Sequence, residues 1–222
     1  VPPTLPLWMV AVGSAFAIIV VKCFYGGIGQ NIVNPALAAR AFLLASYPVR
    51  MTTWTLDGTT GPTPLGVLRG DGSVALPKLF DVFVGNIGGC IGETSALALL
   101  IGAAYLLYKK VITWHIPASY IGTVFILTTI LGRNGFMTGN GFYEILLGGL
   151  ILGAFYMATD YTTSPMTKKG HIVFGISCGI LTTLIRLYGG YAEGVSYSIL
   201  IMNLFVPFID KFTKPRVFGG EK

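Results

Sequence analysis

The chain has 222 residues, 53% of them hydrophobic and 11% charged, with a mean hydropathy of +0.72, whereas a soluble domain carries about 25% charged residues. So little solvating surface excludes an ordinary soluble enzyme, a nucleic-acid module and a disordered tail. The formal charge of +6, from 15 Lys and Arg against 9 Asp and Glu, fits basic cytoplasmic loops of a membrane protein. Thirty glycines fit as well, because close helix packing in lipid favours small residues. Cys23, Cys90 and Cys178 lie far apart in apolar runs, with no pair at the spacing of zinc, disulfide or iron–sulfur ligation. The chain enters apolar sequence at Val1 without methionine or a basic leader, so N-terminal residues are expected to be missing.

A bilayer span needs about 20 mostly apolar residues, with about 17 as the lower bound. The first is residues 8–24, followed by 91–108, 114–132, 142–159, 171–187 and 195–209. Between the first two, residues 35–46 and 79–88 are apolar but too short to cross, which predicts half-helices buried in protein. Several spans are bounded closely by charge, as by Glu144 and Asp160, Lys169 and Arg186, and Glu193 and Asp210. Those flanking charges must sit at the interfaces or line polar cavities. The expected fold is therefore all-α: one transmembrane domain over residues 1–222, a polytopic helical bundle of six spans and two half-helices.

Lysines fall after alternate spans: Lys109 and Lys110, Lys168 and Lys169, then Lys211 and Lys214 with Arg216. The positive-inside rule puts these segments in the cytoplasm and the long polar loop 47–78 outside. Asp57-Gly58-Thr59-Thr60-Gly61-Pro62 recurs 103 residues later as Asp160-Tyr161-Thr162-Thr163-Ser164-Pro165. Copies on opposite sides of the membrane are what an inverted repeat produces; chance recurrence in Thr-rich turns is the plainer reading.

The loop from Asp57 to Leu65 is the most informative stretch. Its prolines and glycines forbid helix, and Pro64 biases Thr63 toward an extended backbone that presents its hydroxyl. Asp57, Thr60 and Gly61 could hold metal or phosphate oxygens, or could form an ordinary polar turn. The D-G-x-T-G-x-T frame closing on Thr63 resembles the acceptor motif at which a flavin transferase esterifies FMN onto threonine. Three other stretches occur in the same family's order: Gly26-Gly27-Ile28-Gly29-Gln30-Asn31 with Asn34-Pro35-Ala36, Gly92-Glu93-Thr94-Ser95, and Gly153-Ala154-Phe155-Tyr156-Met157-Ala158-Thr159-Asp160. Together they resemble the RnfD family, the D-type membrane subunits of Rnf ion-translocating electron-transport complexes. A close relative of that family is NqrB, the B-type subunit of the sodium-pumping NADH:quinone oxidoreductase. The likeness runs over about residues 25–210.

The resemblance implies a bacterial or archaeal inner-membrane flavoprotein subunit. It would carry FMN as a phosphoester on Thr63 and pass electrons between ferredoxin and NAD while Na+ or H+ is moved. Its partners would be the other membrane and iron–sulfur subunits and the transferase. Riboflavin, held noncovalently in related complexes, would suit the turn at Asp160 and Thr162, which otherwise reads as a simple turn. Arg50 and Arg69 flank the Thr63 loop and would offset the phosphodiester charge, or would act as interfacial anchors. Asn31 and Asn34 look like the cap of a half-helix that Pro35 opens, with N–H groups able to face an anion or a flavin carbonyl. Arg40 inside that half-helix requires a partner or a cofactor. Glu93 is expected to cap the following span; an ion pathway is the sharper alternative. His115 and His171 read as interfacial structural residues. The rivals are the quinone-reducing relative and a urea- or ammonium-type channel, which would have no use for the Thr63 motif.

Overall fold

The computed structural model describes every residue except 57–58, 62, 71–75, 133–136, 138, 191–192 and 215–222, and no side chain of 54–56, 59–61 or 69. Its first helix, α1, runs Leu7–Cys23. The second half of α1, Phe16–Cys23, widens to π-helical turns. It packs on α2, Pro35–Ser46, through the stacked rings of Phe16 and Phe42, 4.3 Å apart, and the edge-on pair of Trp8 and Tyr47. Gly13 permits the approach, since a Cβ there would lie 2.6 Å from Leu43.

The bounds of α2 are those its sequence predicts. The Asn34 side chain accepts from the N–H groups of Ala36 and Leu37, and Pro35 fills the first helical position, where a missing N–H costs nothing. Then come α3 at Pro48–Met51, a hairpin of β1, Trp54–Leu56, with β2, Thr59–Gly61, and the short α4 at Pro64–Arg69. Thr55 pairs with Thr60 across that hairpin, so the loop read as extended is a small antiparallel ribbon within an otherwise helical chain.

Three expected elements differ. The segment at 79–88 is helical only over α5, Leu79–Val84, where Gly85 turns the chain at φ +107°. The helix expected from residue 91 begins at α6, Ala96–Tyr108, with Ser95 as its cap. The expected span 142–159 is broken into α8, Gly141–Leu146, and α9, Leu150–Leu152, which continues as π-helical turns over Gly153–Met157. Glycines 148 and 149 at the break carry no Cβ, and Gly148 sits at φ +70°, a conformation open to glycine. Irregular backbone of this kind survives at membrane depth only where protein or a cavity satisfies it.

The core is made by α7, His115–Leu131, α10, Lys168–Tyr188, and α11, Val195–Thr213. Ile116, Tyr120, Val124, Phe174, Cys178 and Ile199 fill it. A closed ring of hydroxyls, Tyr120 to Thr182 at 2.6 Å, Tyr120 to Ser198 at 2.9 Å and Thr182 to Ser198 at 2.7 Å, ties the three helices together. By length and composition α10 and α11 can cross a membrane, and α1 and α7 are shorter apolar helices. Outward, Ile101, Tyr105, Leu204, Phe205, Phe208 and Phe212 are exposed, as large apolar side chains facing lipid are.

One end of the bundle gathers the lysine-bearing segments. Thr167 bonds Thr213 at 2.8 Å, the Met166 N–H donates to Asp210 at 2.9 Å, and the Tyr161 hydroxyl donates to the Val111 carbonyl. Along α10, Gly179 faces Thr123, whose Cβ would lie 2.6 Å from an added Cβ. Gly179→Leu is therefore expected to lower stability by about 1–3 kcal/mol through overpacking, read as a fall in the melting temperature of the detergent-solubilised protein; an unchanged melting point would refute this account of the α7–α10 contact.

Candidate functional site

At the end opposite the lysines, a cavity of about 330 Å³ opens between the helix breaks. Its lining includes Arg40 from α2, Thr63, Glu93, Gly148, Glu193 and Ser196. Residues distant in sequence converge here because the middle of α2, the turn before α6, the break between α8 and α9, and the start of α11 meet at this depth.

Thr63 is extended, at φ −63° and ψ 155°, as its position before Pro64 requires. Its Oγ1 accepts from the Gly66 N–H at 3.1 Å, capping α4, and Thr63 is half-buried at the cavity wall. Asp57 lies outside the described residues. The backbones of Thr60 and Gly61 sit in β2, but the Thr60 and Arg69 side chains lie outside what the structure describes.

The guanidinium expected to face this loop was that of Arg50 or Arg69. Arg50 is exposed on α3 and does not line the cavity. Arg40 does. Its Nη2 donates to Glu193 Oε2 at 2.5 Å and lies 3.7 Å from the Cys90 sulfur, and its Nη1 donates to Ser196 Oγ at 2.7 Å. The partner that Arg40 required is thus Glu193, a residue legible in sequence only as a charge bounding a short apolar run. Glu193 uses its second oxygen, Oε1, to accept the Gly149 N–H at 2.6 Å, which satisfies one backbone donor in the helix break.

Glu93 does not cap α6. Ser95 Oγ accepts the Ala98 N–H there, and Glu93 Oε1 instead accepts the Cys90 N–H at 2.9 Å. A helix that starts at Ala96 leaves this carboxylate one turn too early to meet its N–H groups. Beneath the cavity floor, Arg186 on α10 is fully buried and donates to the carbonyl of Glu144 at 2.5 Å, to its Oε2 at 3.2 Å and to the Leu147 carbonyl at 3.3 Å.

A second polar cluster lies on the lysine-bearing side of the cavity, about 9 Å from Arg40 along α2. Asn31 Nδ2 donates to Thr162 Oγ1 at 2.9 Å, and the hydroxyls of Thr162 and Thr163 donate to Asp160 Oδ2 at 3.0 and 3.1 Å. Asn34 donates to the Met157 carbonyl at 3.3 Å while capping α2. With its amide turned to suit its neighbours, Asn203 donates to the Thr163 carbonyl at 3.1 Å and accepts from Asn34 N at 3.0 Å. Asn31, Asn34, Asp160 and Thr162, separated by more than a hundred residues, therefore do meet. The helix α2 joins the two clusters, Asn34 at one and Arg40 at the other. His115 and His171 stand 6.3 Å apart near this end, and no group of three or more His, Cys, Asp or Glu with metal-binding geometry occurs among the described residues.

A sequence model of the NQR2, RnfD, RnfE family matches residues 1–219. Among curated proteins, the chain is similar to the D subunit of the Na(+)-translocating ferredoxin:NAD(+) oxidoreductase complex of Acetobacterium woodii, 50% identical over 227 residues that cover 100% of this chain and 70% of the relative. It is equally similar to the D subunit of the proton-translocating ferredoxin:NAD(+) oxidoreductase complex of Clostridium ljungdahlii, 50% over 236 residues, covering 100% and 71%. The D subunit of the ion-translocating oxidoreductase complex of Stutzerimonas stutzeri is 37% identical over 257 residues, covering 98% and 72%.

Because Arg186 is enclosed and bonded to the break at 144–147, removing it takes one donor from the Glu144 carboxylate and one from each of two carbonyls. Arg186→Met is expected to cost about 3–5 kcal/mol and to lower the yield of folded protein by size-exclusion chromatography. A variant as stable as the parent would show that the pair does not hold the break.

Proposed function

The chain belongs to the NQR2, RnfD, RnfE family, and from that premise we propose that it is the D-type membrane subunit of an ion-translocating ferredoxin:NAD+ oxidoreductase, carrying FMN as a phosphoester on Thr63. It serves electron transfer coupled to Na+ or H+ movement within the complex and has no complete activity alone. Similarity along the whole chain to the D subunits of two ferredoxin:NAD(+) oxidoreductases favours this over the quinone-reducing relative, and the family match sets the channel reading aside.

The observation that carries the flavin assignment is that Thr63 opens on a cavity of about 330 Å³ with Arg40 in its lining. The residues present fit such a group. The Thr63 hydroxyl is presented on extended backbone, and Gly190 in the lining, with no atom within 4 Å of where a Cβ would stand, leaves backbone open to the close approach of a flat ring. When bound, the flavin supplies the redox chemistry, and the protein supplies placement and electrostatics. The chain's own part is to hold Thr63 extended by Pro64, to keep an arginine near a phosphodiester charge, and to enclose the site between α2, α4 and α11. Esterification would replace the Thr63 Oγ1–H bond by an O–P bond; the phosphoryl group would come from an activated flavin nucleotide whose bond to its leaving group breaks, and the hydroxyl proton would pass to a base of the transferase.

A noncovalent riboflavin at the Asn31–Asp160–Thr162 cluster belongs to the same reading, supported by the convergence of those residues. The D-x-T-T-x-P echo is read as the trace of an inverted repeat. In its support, a threonine cap of the same three-residue reach follows each copy, Thr63 to Gly66 and Thr167 to Gly170, at opposite ends of the bundle and one residue out of the 103-residue register.

Acid precipitation of the assembled complex separates the two flavins. Covalent FMN is expected in the pellet, on the tryptic peptide 51–69, and riboflavin in the supernatant. Thr63→Ala removes the esterifying oxygen and should abolish the first entirely while the protein still inserts; an unmodified peptide from cells that express the transferase would refute the assignment, and a flavin-free supernatant would refute the second site.

The Thr63 loop is assigned to the outer face of the inner membrane and Lys168 with Lys169 to the cytoplasm, a reading supported by the gathering of the lysine-bearing segments at the far end. Single cysteines at Ser73 and Thr167, in a background without Cys23, Cys90 and Cys178, report it. An impermeant thiol reagent on intact spheroplasts is expected to label the first alone; labelling of the second would invert the topology.

A further inference from the structure

We propose that the groove between α10 and α11 binds one anionic phospholipid, with an acyl chain lying in the groove and the phosphate held at Lys169 and Lys214. The groove has a volume of about 540 Å³. Val173, Ile180 and Leu181 form one wall and Ile201, Phe205 and Phe208 the other, with Ser177 and Thr213 as the polar side chains of the lining. It exists because α10 is drawn toward α7 on its opposite face. Gly175 and Gly179 lie so close to Ser119 and Thr123 that an added Cβ would clash, whereas the edge toward α11 carries branched side chains that hold that helix off.

The depth of the groove selects its occupant. At its inner end the Thr182 and Ser198 hydroxyls bond at 2.7 Å and join the two helices, next to the lining residue Leu181. From Val173 to Leu181 the α10 wall rises about 12 Å, and from Ile201 to Thr213 the α11 wall rises about 18 Å. A hydrocarbon core of about 30 Å gives each leaflet about 15 Å. The groove is therefore one leaflet deep, which is the reach of an acyl chain. A crossing helix of a partner subunit would need a groove about twice as long.

The mouth of the groove carries the charge that complements a phosphate. Lys169 precedes Val173 by one turn, so it stands on the same face of α10 as Val173, Ser177 and Ile180. Lys214 follows Thr213 at the end of α11. Both are exposed, as are Lys168 and Lys211 beside them, and none of the four forms an ion pair among the described residues. Asp210 does not line the groove and accepts the Met166 N–H. The start of α10 adds the positive end of its dipole. A basic pocket between membrane helices at the cytoplasmic side suits a lipid phosphate. The choice of leaflet rests on the topology assigned above, whereas lipid capture by α10 and α11 in detergent depends neither on it nor on the flavin reading.

Photolabelling of the intact complex, washed free of lipid in detergent, provides the test. The probe is phosphatidylglycerol with a diazirine midway along one acyl chain, compared with phosphatidylcholine carrying the same diazirine. Phosphatidylglycerol is expected to label the peptide that spans residues 170–186, and phosphatidylcholine far less. Removing each lysine's charge should weaken this capture about fivefold, so Lys169→Gln combined with Lys214→Gln should bring the two lipids close to equal. Both side chains are exposed, so the variant should fold. Val173→Trp fills the groove and should abolish labelling by either lipid. Melting temperature gives a second readout: added phosphatidylglycerol should stabilise the parent complex and leave the double lysine variant unchanged. Equal labelling by the two lipids in the parent, or labelling of 170–186 by neither, would overturn the proposal. So would a photoreactive phenylalanine analogue in place of Phe208 that cross-links chiefly to another subunit, since the groove would then belong to a protein helix.

Discussion

The contact on which the rest of this structure depends is the ion pair of Arg40 and Glu193. A guanidinium on a 12-residue helix too short to cross the membrane cannot reach water at an interface as one near the end of a spanning helix does, so it must be met inside the protein. Glu193 meets it from the turn before α11, and Ser196 adds a second acceptor from the first turn of that helix. The carboxylate's other oxygen holds the Gly149 N–H in the break between α8 and α9. One side chain thereby ties the middle of α2 to two places where regular helix stops, and irregular backbone needs such partners in a medium without water.

The same pair explains why a cavity exists at all. Side chains that satisfy helix ends cannot also fill the space between them, and Gly190, with no atom within 4 Å of where a Cβ would stand, contributes none. The void they leave has Thr63 on one wall and acidic oxygens on another. A redox group placed there would share its electrostatic surroundings with Arg40, Glu93 and Glu193, because Coulomb interaction over a few ångström is large where water is scarce.

Much of this was legible in the sequence, and the reasons differ by element. The ends of α2 at Pro35 and Ser46 could be read because Asn34-Pro35 is a strong start signal and polar, proline-bearing sequence follows. Arg40 announced its need of a partner through its place in an apolar run. The break at 147–149 was missed because residues 145–159 carry no charge, and hydropathy counts a broken helix and a whole one alike. Glu93 was misread as a cap because helix starts are uncertain by a few residues in sequence; Ser95, two positions later, takes that role. Glu193, Arg186 and Glu144 stood in view as charges crowding short spans, but pairing them required knowing which helix ends share a depth. Asn31, Asn34, Asp160 and Thr162 were each singled out locally, and their meeting is a fact of tertiary structure alone.

The central claim, that Thr63 carries a flavin inside the cavity it shares with Arg40, Glu93 and Glu193, is tested most directly by a cryo-electron-microscopy map of the assembled complex. The expected result is density continuous with Thr63 Oγ1, a phosphate at the attachment point, and a planar ring system occupying the space bounded by Gly148, Gly190 and Ser196. A bare Thr63 side chain still capping Gly66, with the cavity empty and flavin density elsewhere, would contradict it.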